Sequence, residues 1–445
     1  MKNSLKNEHV TKGNLFALVV LALLTLADNV FANTLLFSLG SKTPQTPGFW
    51  NLATTSLIIS VVADLIGQLV LIFLTHYYTS LYLLILCMDF ISIFNILLNS
   101  CILVFWRPDE HGWISAIAPM FKTIGGGSHT TAFLIITYIK KNNSSSLKAA
   151  LVYMTGAVIV LCQIFASSIT RLIAKQDLTL SYILSLVCCT LAGFVTIRDS
   201  VARAVASDQN WTADSMRPLL SHRKASNMPL GLIEEYLNGW HNMHSGARKS
   251  LTLLGWAIFL AAIAKATRPL FLTYVQHRVG LTPTAASDLL MIRTIMSLVI
   301  FSVVLPLVLL LSSKIPSMRP ITINSHMVKM SIVLLAVGAV LIGAAQSETV
   351  LMSGLVINTL GVATDLALLA FAADVVPDNI ASSFFMIIAS VESAGTIVGI
   401  VLLYPLYQQF IDSDTLLGGV PYYICASLFT SAGIIIWSLQ PLSIY

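Results

Sequence analysis

Twelve long apolar runs follow one another along the chain, separated by short polar breaks. They lie near residues 14–37, 50–74, 80–105, 113–139, 147–173, 178–197, 251–276, 284–311, 327–345, 349–373, 380–408 and 419–439. Each is long enough to cross about 30 Å of hydrocarbon as a helix. Within several runs, small and polar residues share one helical face: Gly354, Asn358, Gly361 and Asp365; Lys122, Gly125 or Gly126, and His129; Thr25, Asp28, Asn29 and Ala32. Spacings of three, four and seven residues put side chains on one side of a helix. The pattern predicts an all-α membrane protein whose polar stripes face other helices or water rather than lipid. One long polar stretch divides the series six and six. The expected organisation is an N-terminal six-helix bundle over 1–197, a cytoplasmic central loop over 198–250 and a C-terminal six-helix bundle over 251–445.

The two halves repeat. "TIGGGSHTTAFLIITYIKKNNSSSL" (Thr123–Leu147) aligns without a gap with "TLGVATDLALLAFAADVVPDNIASS" (Thr359–Ser383) at an offset of 236 residues. In each, a small-residue patch is followed by an ionisable residue, an apolar turn and a polar loop. His129 falls opposite Asp365, and Tyr138 opposite Asp374. Internal repeats of this kind imply two pseudo-symmetric bundles around a central cavity, with a binding site near mid-membrane between them.

Charge changes the picture in two ways. Only 10% of the residues are charged against 56% hydrophobic, whereas a soluble domain carries about 25% charged residues. With the N-terminus in the cytoplasm, sixteen basic residues fall in inner loops and five (Lys42, Arg107, Arg171, Lys175, Arg278) in outer ones. That asymmetry predicts cytoplasmic termini and a cytoplasmic central loop. The sequons at Asn142, Asn143 and Asn210 then lie on the wrong side for glycosylation, and "LGLIEEYLNGW" reads either as a surface helix or as unstructured loop. The six cysteines fall in or beside apolar runs without metal-ligand spacing, which predicts neither disulfides nor a metal site. No phosphate-binding Gly-Lys-Ser/Thr loop occurs, so ATP-driven pumping is not expected. No nucleophile–base arrangement stands out, and no enzyme, cofactor or nucleic-acid partner is expected.

Twelve spans, the six-plus-six split, "FAADVVPDNIASSFF" after the tenth span and "YVQHRVGLTPTAASDLLMIRTIMSLVIFSVVLPL" after the seventh make the chain resemble the major facilitator superfamily. Gly125–Gly127 in span four resembles its fungal twelve-span multidrug or secondary-metabolite members. The likeness covers all but the central loop. One motif departs: between spans two and three the family places a Gly and an Asp before a basic cluster. Here "LIFLTHYYTSLYLL" puts His76 at the Asp, Thr79 at the Gly, and Ser80 and Leu81 at the basic pair. The inner-gate charge network built on that motif is not expected in this chain.

The resemblance implies that spans one, four, seven and ten line the cavity. Six ionisable groups fall on those spans: Asp28, Lys122, His129, Lys265, Arg268 and Asp365. Charges inside a bilayer are costly and mark substrate or ion pathways. With Asn29 and Asn358 they form the candidate cavity set. Asp28, Asp365 and Glu392 are the proton-coupling candidates, since a buried carboxylate can take up a proton near neutral pH. Depth suggests two pairs between the halves. Asp28 and Lys265 both lie about 21 Å from the cytoplasmic start of their helices, and His129 and Asp365 about 24 Å from the outer ends of theirs. Arg268, beside Pro269, reads equally as a residue reaching to the outer surface, and Arg293 as a structural partner of Asp288. Phe31, Trp256 and Tyr274 are aromatic residues available to an apolar ligand.

The leading expectation is a monomeric secondary transporter of the plasma membrane, moving a small organic molecule by proton-coupled efflux. A vacuolar or other internal membrane is the alternative location. Two other readings stand beside efflux: a proton-coupled importer of an organic anion or zwitterion, and a transporter-like sensor without flux.

Overall fold

In the computed structural model, the described residues are 2–40, 52–77, 119–120, 127–143, 145–173, 178–208, 241, 245–313, 320–376, 381–410 and 416–438. Every regular element among them is helical. In the first half these are α1 (Lys2–Gly40), α2 (Leu52–Tyr77), α3 (Gly127–Asn142), α4 (Ser145–Ile173) and α5 (Leu178–Asp208). The second half comprises α6 (Ser245–Lys265), α7 (Phe271–Val279), α8 (Pro283–Val299), α9 (Leu305–Ser313), α10 (Pro320–Ala344), α11 (Glu348–Leu360), α12 (Thr364–Val375), α13 (Ala381–Phe410) and α14 (Val420–Ser438). Eleven of the twelve expected spans fall on these elements; the span near 80–105 lies outside the described residues. Among the described residues, nine helical stretches are long and apolar enough to cross a membrane. Helix α5 runs on to Asp208 and α6 begins at Ser245, so both ends of the expected central loop are helical. The "LGLIEEYLNGW" segment lies outside the described residues.

Each half packs on itself first. Helix α1 lies against α4 and α5, α10 against α11, α12 and α14, and α6 between α13 and α14. The halves then meet where α2 and α3 pack on α13, and where α4 packs on α8 and α12. Small residues set the closest approaches, as expected where helix association depends on packing rather than on water. A methyl carbon at Gly395 would stand 2.7 Å from the Phe259 carbonyl oxygen, so α13 sits almost backbone to backbone on α6. At Gly361 it would stand 2.6 Å from the Ser331 carbonyl oxygen and 2.7 Å from the Leu335 nitrogen, both in the backbone of α10. Neither neighbour can rotate away. Gly361→Val is therefore expected to destabilise the C-terminal half by more than the ~1–3 kcal/mol typical of overpacking. A melting curve of the purified variant checks this: a midpoint within one degree of wild type would contradict the packing.

Candidate functional site

The spans around the centre of the molecule are broken, and the breaks place its charges. In span seven, α6 stops at Lys265 and α7 starts at Phe271. The cause is Pro269, which lacks an N–H and whose ring collides with the carbonyl four residues back, that of Lys265. Across the break, the Thr267 and Arg268 amides reach only three residues back, to Ala264 O (3.4 Å) and Lys265 O (2.9 Å). The Ala264 carbonyl also accepts from Thr267 Oγ1 (2.8 Å) and Cys425 Sγ (3.3 Å). Loosened carbonyls inside a bilayer need such partners. In span ten, a 3₁₀ turn over Gly361–Ala363 separates α11 from α12 and leaves Asp365 in the first turn of α12. Carboxylates are favoured at that position by the helix dipole. Span eight contains a π-helical segment, Ile300–Val304, of a kind frequent at functional sites.

Lys265 and Asp365, one from each of the breaks in spans seven and ten, form an ion pair, the ammonium donating to Oδ1. A second pair joins the halves: His129 Nε2 on α3 lies 3.4 Å from Glu392 Oε2 on α13. The His129 ring packs edge-on against Phe133 at 5.1 Å. Between the halves lies a cavity of about 360 Å³, whose polar lining includes His129, Gln163, Arg268, Arg293, Asp365 and Glu392. Its walls are otherwise mostly apolar, among them Phe133, Ile136, Ile159 and Phe301. Arg268 and Arg293 form no ion pair among the described residues. With Lys265, which lines a smaller pocket beside Arg268 and Arg293, three cations stand around the centre against two carboxylates, Asp365 and Glu392. A cleft with an excess of one sign of charge and low-dielectric walls concentrates ligands of the other sign.

Several expectations change here. The pairs Asp28–Lys265 and His129–Asp365 do not form: Lys265 takes Asp365, and His129 takes Glu392. Depth along a helix fixes height but not direction. Arg293 does not pair with Asp288, which is exposed. Five residues apart, the two point about 140° away from each other, and Arg293 faces the cavity. Arg268 lines the cavity and is exposed. Asn358 donates to the Leu335 carbonyl (3.2 Å) and lines a smaller adjoining pocket. Asn29 donates to the Thr25 carbonyl one turn back in its own helix (2.7 Å), and neither it nor Asp28 lines the 360 Å³ cavity. Lys122 lies outside the described residues. Phe31 and Tyr274 are buried in packing and Trp256 is exposed.

At the end of the bundle where the chain begins, the halves are latched together. Lys140 is 3% exposed, and its ammonium donates to the Val376 carbonyl at the end of α12. These two residues are 236 apart, the offset of the sequence repeat, so equivalent positions of the two halves touch. Beside them, Tyr153 donates to Asn324 Oδ1 (3.0 Å), and Asn324 Nδ2 donates to Asp374 Oδ2 (3.3 Å). Asn14 and Asn143 exchange amide hydrogen bonds of 2.7 and 3.1 Å between α1 and the end of α3. At the opposite end, Arg171 reaches Ser287 at 3.3 Å through exposed side chains. Lys140→Met is expected to loosen the latch. A cysteine replacing Ile136 in the cavity wall should then react several-fold faster with an impermeant thiol reagent applied at the latched end. Equal rates with and without Lys140 would show that the contact does not close the cavity.

No protein-family model and no curated protein matches the chain by sequence. Solved structures do match its fold. It is similar to the human organic anion transporter MFSD10 (TETRAN) at 14% identity and a TM-score of 0.68, over 96% of this chain and 99% of that one. It is also similar to the proton:xylose symporter XylE of the major facilitator superfamily, at 12% identity and a TM-score of 0.66, over 98% and 97%. A bacterial homologue of the iron transporter ferroportin, in an outward-facing state, matches at 11% identity and a TM-score of 0.68, over 96% and 98%. The chain therefore has the major-facilitator architecture: twelve transmembrane helices in two pseudo-symmetric six-helix bundles around a central cavity.

Proposed function

We propose that this chain is a proton-linked secondary transporter of the major facilitator superfamily that carries a small organic anion by alternating access. The observation that carries the reading is the placement of Arg268 and Arg293. Both line the cavity between the halves, and neither is neutralised by an ion pair among the described residues. Guanidinium groups bind carboxylate or phosphate through paired N–H donors. A volume of about 360 Å³ lies in the range of small-molecule sites, ~300–1,000 Å³. The largely apolar wall fits the carbon skeleton of an amphipathic anion. MFSD10, whose fold this chain shares, is an organic anion transporter.

In this reading the His129–Glu392 pair is the coupling element, since it alone of the two pairs links the halves. Protonation of Glu392 releases the link and frees the bundles to rock. With both termini cytoplasmic, the latch at Lys140 closes the cytoplasmic side, and the conformation is outward-facing. The organisation into bundles over 1–197 and 251–445 with a cytoplasmic loop between them belongs to the same proposal, as does residence in the plasma membrane.

The test is flux in proteoliposomes holding the purified chain, with a pH gradient imposed in either direction. The panel contains mono- and dicarboxylates, organic phosphates and a neutral sugar. Anions should cross, faster in the direction the gradient drives, and the sugar should not. The driven direction separates export from uptake. Anion binding without flux of any compound would favour a transporter-like sensor instead.

A further inference from the structure

A second, smaller pocket adjoins the cavity, with about 30 Å³ of free volume. Its polar lining comes from Lys265, Thr267, Arg268, Arg293, Asn358 and Tyr422, and no carboxylate is among its lining residues. Tyr422 is 5% exposed, and its hydroxyl has no hydrogen-bond partner. Buried polar groups in native proteins almost always have one. The ring is held in place by Tyr274, with centroids 4.6 Å apart, and the Tyr274 hydroxyl is itself committed to the Ile342 and Gly343 carbonyls at 3.1 and 3.3 Å. The other polar groups are occupied: Asn358 donates to Leu335 O, Thr267 to Ala264 O, and Lys265 to Asp365. What the pocket offers is an orphan hydroxyl donor and two guanidinium groups without ion-pair partners. It lacks an anionic side chain to answer them.

We infer that this pocket is a binding site for a small inorganic anion of halide size, held by the Tyr422 hydroxyl with Arg268 and Arg293. Size selects the ligand. A cavity needs about 10–15 Å³ of free volume to hold one water, so this one takes a chloride-sized ion or two waters. It is too small for an organic carboxylate. The chemistry selects charge, since the tyrosine hydroxyl and the two guanidinium groups among the pocket's lining residues can all donate. A bound halide offsets the cationic excess of the empty carrier and holds both guanidinium groups in place beside the larger cavity. The inference goes beyond the proposed transport reaction: the halide occupies its own pocket and is not the cargo.

The experiment is a chloride titration of the purified full-length chain in detergent, read as melting temperature, with ionic strength kept constant by an anion too large for the pocket. A ligand that binds only the folded state raises the midpoint as its concentration passes its dissociation constant. Wild type should show a saturable rise with chloride, and Tyr422→Phe should need at least tenfold more chloride for the same rise. A bromide soak of wild-type crystals should place one anomalous peak between Arg293 and Tyr422. That result stands even if Tyr422→Phe fails to fold. Identical melting with and without chloride, an unchanged response in Tyr422→Phe, or ordered water only at the bromide position would each overturn the site. Organic-anion flux without a chloride response would leave the transport reading standing and remove this one. A chloride response without flux of any anion would do the reverse.

Discussion

Arg293→Gln is expected to lower organic-anion flux by two orders of magnitude or more, without unfolding the protein. Truncating one partner of a desolvated, hydrogen-bonded charge pair costs about 2–5 kcal/mol, and each 1.4 kcal/mol is tenfold in affinity. The stability effect has the opposite sign to that of most core substitutions. Arg293 lines the cavity with Arg268 and has no ion-pair partner among the described residues, so removing its charge relieves a penalty. In chloride-free buffer, melting should stay level or rise as flux collapses. Arg268→Gln should lower flux likewise with melting level, since Arg268 is exposed, and a neutral replacement that kept flux within threefold of wild type would remove the anion site from the account.

The Lys265–Asp365 pair predicts the reverse signature. Asp365→Asn leaves an ammonium with only 10% of its side chain exposed and no counter-charge of its own. Breaking one side of a buried pair destabilises by about 3–5 kcal/mol, while replacing both partners with apolar residues is often neutral. The single variants Asp365→Asn and Lys265→Met should therefore melt well below wild type, and Lys265→Met/Asp365→Leu should recover most of the loss. A double-mutant cycle isolates the coupling between the two. Additive losses, with no recovery in the double variant, would mean that the pair is not an energetic unit.

Much of the architecture could be read from hydrophobic periodicity, because span length and the six-plus-six split depend only on how far apolar runs extend. The repeat was legible as well, and its offset of 236 reappears as the contact between Lys140 and Val376. The partners of the charges were harder to read. Height in the membrane follows from counting residues, but which neighbour a side chain meets depends on azimuth and on helix breaks. Pro269 signalled one break, and its consequence for Lys265, four residues earlier, follows from proline's geometry. The 3₁₀ turn before Asp365 had only Gly361 to announce it. Arg293 reads in sequence as a partner of the nearby Asp288, although a five-residue spacing points the two apart. Glu392 was visible as a polar residue on a glycine-lined face, but its partner His129 lies in the other half. The missing motif between spans two and three leads one to expect no inner gate there, most of it outside the described residues, and nothing local foretold the latch built from Lys140, Tyr153, Asn324 and Asp374.

Alternating access about the central cavity is tested most directly by the distances between the halves at its two ends. Spin labels at the exposed positions Leu147 and His326 report on the latched end, and labels at Arg171 and Ser287 on the opposite end. The measurement is made on the purified chain in lipid, with the native cysteines replaced. The account predicts two populations whose distances vary oppositely: when the first pair moves apart the second closes, and protonation or an organic anion changes their ratio. A single fixed distance at both ends, unchanged by pH and by every anion that binds, would contradict it.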